Sequence, residues 1–393
     1  MLKMFMTRVA SCFALLCCLG LLQVVLAAPL AHADGGAPNL VYVSGTTAGV
    51  SVIGVAQAKV AHTFPLPGDP HMILLSPSGG ALYVTQPELG QLTVMATRTG
   101  QVTCTVRLPG QPSLLAFDQN TSMLYAAGNG ADVVTALDPQ TCAVQHTFPT
   151  GSPVYGIAVT VFVVDNSAAT FTQLWAAGSN AITVFDDRSG KILATVPIQE
   201  GPQYLSIPPG PTVYVSTLRG TVDAVDLKTR QVRQLLSGGT FGPMDYDALT
   251  GEVYVPDEQH NVVDILAPIG SSMEATPREP VRTFHTDLPP VSVAITNDGL
   301  LGFVALRGGK IMMLDLLGRR VAYTVDVGST PHFVITGPFP PASNTTTATT
   351  AAAPQNTVRS IIIDVIIGTI VVSLSVLVVS LVMQSRLARQ GRK

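Results

Sequence analysis

The chain has 393 residues, a formal net charge of −3, 47% hydrophobic residues and only 12% charged residues. Between Asp34 and Thr357 stand 24 acids against 15 lysines and arginines, a net charge of −9. A sparse, mildly acidic surface offers no electrostatic footprint for a phosphate backbone and excludes a nucleic-acid-binding protein.

The first 33 residues read as a signal peptide. Lys3 and Arg8 give a positive start, Phe13 to Ala28 is apolar, and Ala31-His32-Ala33 before Asp34 fits a small-x-small cleavage site. The other reading is an anchor that stays in the membrane. Cys17 and Cys18 lack the small residues that precede a lipid-modified cysteine, which argues against a lipoprotein.

From Asp34 to Gly337 the chain repeats. A short strand built on an aromatic residue recurs as Leu40-Val41-Tyr42-Val43, Leu82-Tyr83-Val84, Leu124-Tyr125-Ala126, Leu174-Trp175-Ala176, Val213-Tyr214-Val215, Val253-Tyr254-Val255 and Gly302-Phe303-Val304. The aromatic positions are 41, 42, 50, 39, 40 and 49 residues apart. A period near 40 made of strands, with no helical pattern between them, points to the blades of a β-propeller.

The second repeat shows one blade. His71 to Leu75 reads as the inner strand, Ala81 to Thr85 as the second, Gln91 to Ala96 as the third and Val102 to Leu108 as the outer one. The turn before the outer strand recurs as Asp-x-x-Thr/Ser-Gly or a variant, as in Asp138-Pro139-Gln140-Thr141, Asp187-Arg188-Ser189-Gly190, Asp226-Leu227-Lys228-Thr229 and Asp315-Leu316-Leu317-Gly318. Aspartate there accepts hydrogen bonds from turn amides, a structural role. A proline precedes each inner strand (Pro70, Pro112, Pro153, Pro202, Pro243, Pro290 and Pro331), where no ladder donor is needed. The first repeat lacks an inner strand and the last leaves an orphan, His332 to Thr336. Pairing the two closes the ring and removes two exposed sheet edges. Phe162 to Thr172 and Pro268 to Pro280 are insertions, the first lengthening a hairpin and the second forming a surface loop. Cys104 and Cys142 fall at non-equivalent places in adjacent blades, an outer strand and the turn before one. Radial spreading of the blades is expected to hold them apart.

These motifs resemble the YVTN-type β-propeller proteins, common among bacterial and archaeal surface and exported proteins. The match rests on Ser76-Pro77-Ser78-Gly79, then Leu82-Tyr83-Val84-Thr85, then Thr99-Gly100-Gln101-Val102, with Gln86 where the family has Asn. Asn297-Asp298-Gly299 comes nearest to the family's full turn. The resemblance spans residues 38 to 337 and implies a seven-bladed ring. It implies no activity, because seven-bladed lactonases and quinoprotein-like proteins share the architecture.

Loops of every blade converge on a propeller's mouth, the default ligand site. The residues after the repeat prolines, His71, Ser113, Val154, Gln203, Met244, Val291 and His332, are expected to ring it, followed by Tyr155, Tyr204 and Asp245. Closure makes His71 and His332 neighbours. Two histidines beside a carboxylate suit a metal, but no third ligand is evident in the adjacent blades, and the simpler reading is a polar rim without metal or cofactor. Gly-x-Ser-x-Gly is absent and no acidic cluster has calcium-loop spacing. No catalytic residue is assigned.

Residues 338–357 form a Thr/Ala/Pro-rich stalk that cannot support a packed core. A transmembrane helix is expected within 358–384; its apolar run Ile361 to Met383, at 1.5 Å per residue, spans about 34 Å. The basic tail 385–393 follows, so the positive-inside bias places it in the cytoplasm and the repeats outside. The fold class is therefore all-β, a seven-bladed propeller of four-stranded antiparallel blades with strand closure, carried on one C-terminal helix. The reading favours a non-catalytic binding or scaffold module at the cell surface, with a protein, glycan or small-molecule partner. The alternative is a metal-assisted, lactonase-like hydrolase acting at the mouth. A sensor ranks third, since the short tail has no room for a signalling domain.

Overall fold

A strand that is apolar on both faces needs cover on both sides, and radial stacking of sheets supplies it. The computed structural model describes residues 40–46, 48–163, 170–270 and 278–337. They form seven four-stranded antiparallel sheets, one per repeat. The second strands are buried along almost their whole length, as in Leu40–Thr46 and Thr212–Thr217. Outer strands such as Val102–Arg107 alternate between solvent and the neighbouring blade. The repeat aromatics Tyr42, Tyr125, Trp175, Tyr214, Tyr254 and Phe303 are among the most deeply buried large side chains.

There is no single central core. Seven apolar clusters lie one at each blade–blade junction: Tyr125 and Leu114 of blade 3 pack on Leu174 and Phe185 of blade 4, and the pattern continues round the ring. The predicted closure is present. Val334–Gly337 pairs with Leu40–Thr46 in the register Val43 to Val334 and Leu40 to Gly337, so the last strand becomes the inner strand of blade 1. Inner strands are shorter than expected in blades 1 and 2, starting at Val334 and Ile73, because His332 and His71 belong to the loops that lead in. The Phe162 insertion lengthens a hairpin, with pairing from Gly156–Ala177 out to Val163–Thr170.

Each inner strand begins on one face of the disc, here the mouth face, and ends on the other, the base face. Turns between second and third strands therefore lie on the mouth face. Turns between first and second strands, and between third and outer strands, lie on the base face. The chain enters at Leu40 and leaves at Gly337, both at the base.

Two sequence expectations are corrected. Cys104 and Cys142 form a disulfide, with Cα atoms 6.0 Å apart. Blades do spread outward, but the outer strand of one blade lies against the third-to-outer turn of the next. The same contact recurs where Phe64 meets Gly100, His146 meets Gly190, and the Tyr323 hydroxyl donates to the Val55 carbonyl at 2.7 Å. The second concerns the turn aspartate of blade 4. Asp186, not Asp187, accepts from the Ser189 amide at 2.8 Å, as Asp138, Asp226 and Asp315 accept in their own turns. The predicted leader, stalk, apolar helix and tail, and the middle of the Pro268 insertion, lie outside the described residues. Among the described residues no helix is long and apolar enough to cross a membrane.

Candidate functional site

The inner strands surround an axial throat. Its void, about 350 Å³ counting the solvent in its opening, is lined by residues of six blades, including Met72, Leu114, Ile157, Tyr204, Met244 and Phe333. Of the residues predicted to ring the mouth, Tyr204 and Met244 line this void. His71, Ser113, Tyr155, Gln203 and His332 each precede a lining residue by one position, and Asp245 follows Met244. Sequence neighbours share this wall, Leu114 with Leu115, Gly156 with Ile157 and Tyr204 with Leu205, so in most blades the void lies one position further along the inner strand than the proline pattern predicts.

Backbone crowding shapes the throat. A Cβ on Gly156 would stand 1.6 Å from the Gln203 carbonyl oxygen, so only glycine lets blades 4 and 5 approach this closely. At the seam of the ring Gly45 has φ of +75°, and a Cβ there would meet the His332 ring and the Thr330 carbonyl at 2.6 Å. Blades 2 and 3 are joined at the wall by Met72, whose sulfur accepts from the Leu115 amide at 3.0 Å.

The seam brings together the two predicted histidines. The rings of His71 and His332 stack with centroids 5.0 Å apart, 20° from parallel. His332 Nε2 lies 2.6 Å from Asp69 Oδ2. Ser44 ties the loops beneath them: its amide donates to the Phe333 carbonyl at 2.9 Å, its carbonyl accepts from the His332 amide at 3.1 Å, and its hydroxyl donates to the His71 carbonyl. Burial, and next the neighbouring His332, hold the His71 imidazole below its ordinary value, against a hydrogen bond to the Ser113 backbone and the charge of Asp69. His71 Nδ1 is buried without a hydrogen-bond partner. Among the described residues no three His, Cys, Asp or Glu side chains are placed to share a metal ion.

Asp245 stands deeper. Its Oδ2 accepts from the Ile295 amide of blade 7 at 2.7 Å, and burial pushes its carboxyl up to about 6. Burial also raises Tyr204, helped by the charge of Glu258, which itself pairs with Arg307 on the mouth face. A second histidine pair on this face was not anticipated. Buried Asp257 accepts from the Thr240 and Gln259 amides at 3.0 Å and holds His260 Nδ1 at 2.6 Å, leaving that ring exposed to solvent. The signal was the Asp257-to-His260 spacing in a mouth-face turn. Asp69 was likewise missed, although it stands two residues before His71.

Solved structures carry the same architecture. Hydrazine synthase of Kuenenia stuttgartiensis is similar over 71% of this chain and 92% of its own, with 20% identity and a TM-score of 0.56. The β-propeller domain of Cps50 (Swd1) from Myceliophteria thermophila covers 70% of this chain and 91% of its own, with 14% identity and a TM-score of 0.58. Apo AztD from Citrobacter koseri covers 75% and 97%, with 10% identity and a TM-score of 0.55. At these identities the likeness shows the fold, a β-propeller. No family model matches the chain, and no curated protein does.

Proposed function

We propose that this chain is a membrane-anchored, extracytoplasmic binding propeller that receives its partner on the mouth face, with one apolar group of that partner seated in the throat. The carrying observation is the void itself: six blades contribute apolar walls, and the strand ends and loops around it carry polar groups such as Ser113, Gln203, Tyr204 and the His332–Asp69 pair. Apolar walls with a few convergent polar groups are the usual anatomy of a ligand site. The apolar lining suits a hydrophobic group, whether of a protein side chain, a glycan face or a small molecule. Display outside the cytoplasm is supported by the Cys104–Cys142 bridge, which persists in oxidising compartments. The leader-like first 33 residues, the apolar run Ile361 to Met383 and the resemblance to YVTN-type surface propellers support it too.

Photo-crosslinking on intact cells tests the reading. A crosslinking residue at Gln203 should capture a partner, and one at Asp298 on the base face should not. Equal capture at both positions, or at Asp298 alone, overturns the assignment of the mouth face. The hydrolase alternative has its own measurement, metal content of the purified propeller in wild type and in a His71→Ala, His332→Ala variant. A stoichiometric metal lost in the variant favours hydrolysis.

A further inference from the structure

The exposed apolar residues of this propeller are shared unevenly between its faces. Thirteen large hydrophobic residues are exposed among the described residues. Two of them, Leu89 and Leu218, lie on mouth-face turns; the other eleven lie on base-face turns or at strand ends that meet that face. Leu249, Leu300 and Leu317, respectively 73%, 41% and 76% exposed, are grouped on blades 6 and 7. Their turns touch: the Leu316 amide donates to the Leu300 carbonyl at 3.0 Å, and a Cβ on Gly299 would stand 2.8 Å from the Asp247 carboxylate. Around them Val102, Val144, Ile192, Val232 and Val321, 40% to 53% exposed, open the outer strands at the base perimeter.

The fold does not require Leu249 or Leu317. In the turn Asp247-Ala248-Leu249-Thr250 the carboxylate accepts from the Leu249 amide at 2.8 Å and from the Thr250 hydroxyl at 2.7 Å. The turn Asp118-Gln119-Asn120-Thr121 of blade 3 makes the same two bonds at the same distances, with Asn120 in the place of Leu249. Likewise Leu317 follows Asp315 by two residues, where Lys228 follows Asp226 in blade 5. A grouped apolar patch that the turns do not need marks an interaction surface.

We infer that the base face docks on a lipid bilayer, with Leu249, Leu300 and Leu317 entering the boundary between headgroups and acyl chains. This rests on the membrane-anchored reading above for the nature of the surface. The chain leaves the propeller on this same face, at Gly337, and the apolar run begins at Ile361 after residues 338–360. Exposed Lys59, Arg188, Lys228 and Arg319 sit in or beside the third-to-outer turns of four blades on this face, balanced by the turn aspartates Asp138, Asp186, Asp226 and Asp315, so the apolar side chains carry the docking. The consequence is an orientation: the throat opens away from the membrane.

Purified propeller, residues 40–337, closes on itself as one ring and is suited to vesicle co-sedimentation. The probe is phosphatidylcholine vesicles with and without phosphatidylglycerol. Wild type should bind both kinds of vesicle, since the apolar side chains rather than charge carry the docking. A Leu249→Ser, Leu300→Ser, Leu317→Ser variant should lose at least about tenfold in partitioning, since interfacial binding scales with buried apolar area. A Leu89→Ser, Leu218→Ser variant should bind as wild type does. Fold is checked by the emission of Trp175; if the triple variant does not fold, Leu317→Ser alone carries the comparison. No vesicle binding by wild type, or equal binding by the triple variant, overturns the inference. So does self-association of wild type that the same serines abolish, which assigns the patch to a second copy. Alkaline extraction of the full-length chain from membranes reports the anchor separately, so failure of the anchor and failure of docking are different results.

Discussion

Asp245→Asn should make this protein more stable at neutral pH. In the ring of inner-strand positions paired with the repeat aromatics, Ile335, Leu74, Ala116, Ala158, Ser206 and Ala294 are the counterparts of Asp245, so it is the one carboxylate of that ring. Burial lifts its carboxyl from 3.8 to about 6, against hydrogen bonds from the Ile295 and Tyr246 amides. At 1.36 kcal/mol per pH unit this displacement corresponds to about 3 kcal/mol of destabilisation once the group is ionised. The folded state holds the proton more tightly than the unfolded chain. The penalty is therefore full above pH 6, shrinks as the pH falls towards 3.8, and is absent below it. Asparagine keeps an acceptor for Ile295 but brings an amide that needs its own partner, which offsets about 1 kcal/mol. The expected gain is about 2 kcal/mol near pH 8 and less near pH 5, turning into a loss of about 1 kcal/mol near pH 3.5. Trp175, the single tryptophan, is fully buried beneath Arg230 and reports urea unfolding. The difference between variant and wild type removes the contribution of Asp223, which burial also raises to about 6. A variant less stable than wild type near pH 8, or a gain that does not shrink on acidification, would refute the reasoning.

Three further outcomes are expected. Reducing Cys104–Cys142, or replacing both with serine, reopens a loop of sequence separation 38. By chain entropy this costs about 4 kcal/mol, read as a drop in melting temperature on adding dithiothreitol that the serine variant no longer shows. His71 is depressed below its ordinary 6.5, so its contribution to stability is present above that value and is lost as the pH falls through and below it. Melting temperature followed downward from pH 8 should fall less steeply in His71→Asn than in wild type. Gly156→Ala forces a Cβ against the Gln203 carbonyl and should cost about 3 kcal/mol or more by overpacking, seen as lost soluble yield or a large shift in urea midpoint.

The architecture was legible because each blade repeats one physical solution. The aromatic of every second strand must be buried on both sides, and its spacing survives variation elsewhere. The closure was legible because Val334 to Gly337 has no partner unless it meets Leu40 to Val43. The disulfide was not, because it depends on how far one outer strand overlaps the next blade's turn, a lateral offset that no single repeat encodes. For the mouth, the prolines marked the right segments, but the void sits one position further along most inner strands, an axial offset that the repeat pattern does not encode. His71 was legible and Met72, which lines the wall, was not. The base-face leucines lie in turns whose hydrogen bonding is indifferent to the side chain, so the repeat pattern carried no sign of them.

The most direct measurement of the central claim is saturation-transfer difference NMR of the purified propeller with indole, a small apolar probe, comparing wild type with Met244→Trp. The larger side chain fills the throat and leaves the Leu249, Leu300 and Leu317 patch untouched. The account predicts a saturable indole signal in wild type that is lost in Met244→Trp while the melting transition persists. Absence of saturable transfer in wild type, or a signal unchanged in the filled variant, would contradict a throat built to receive an apolar group.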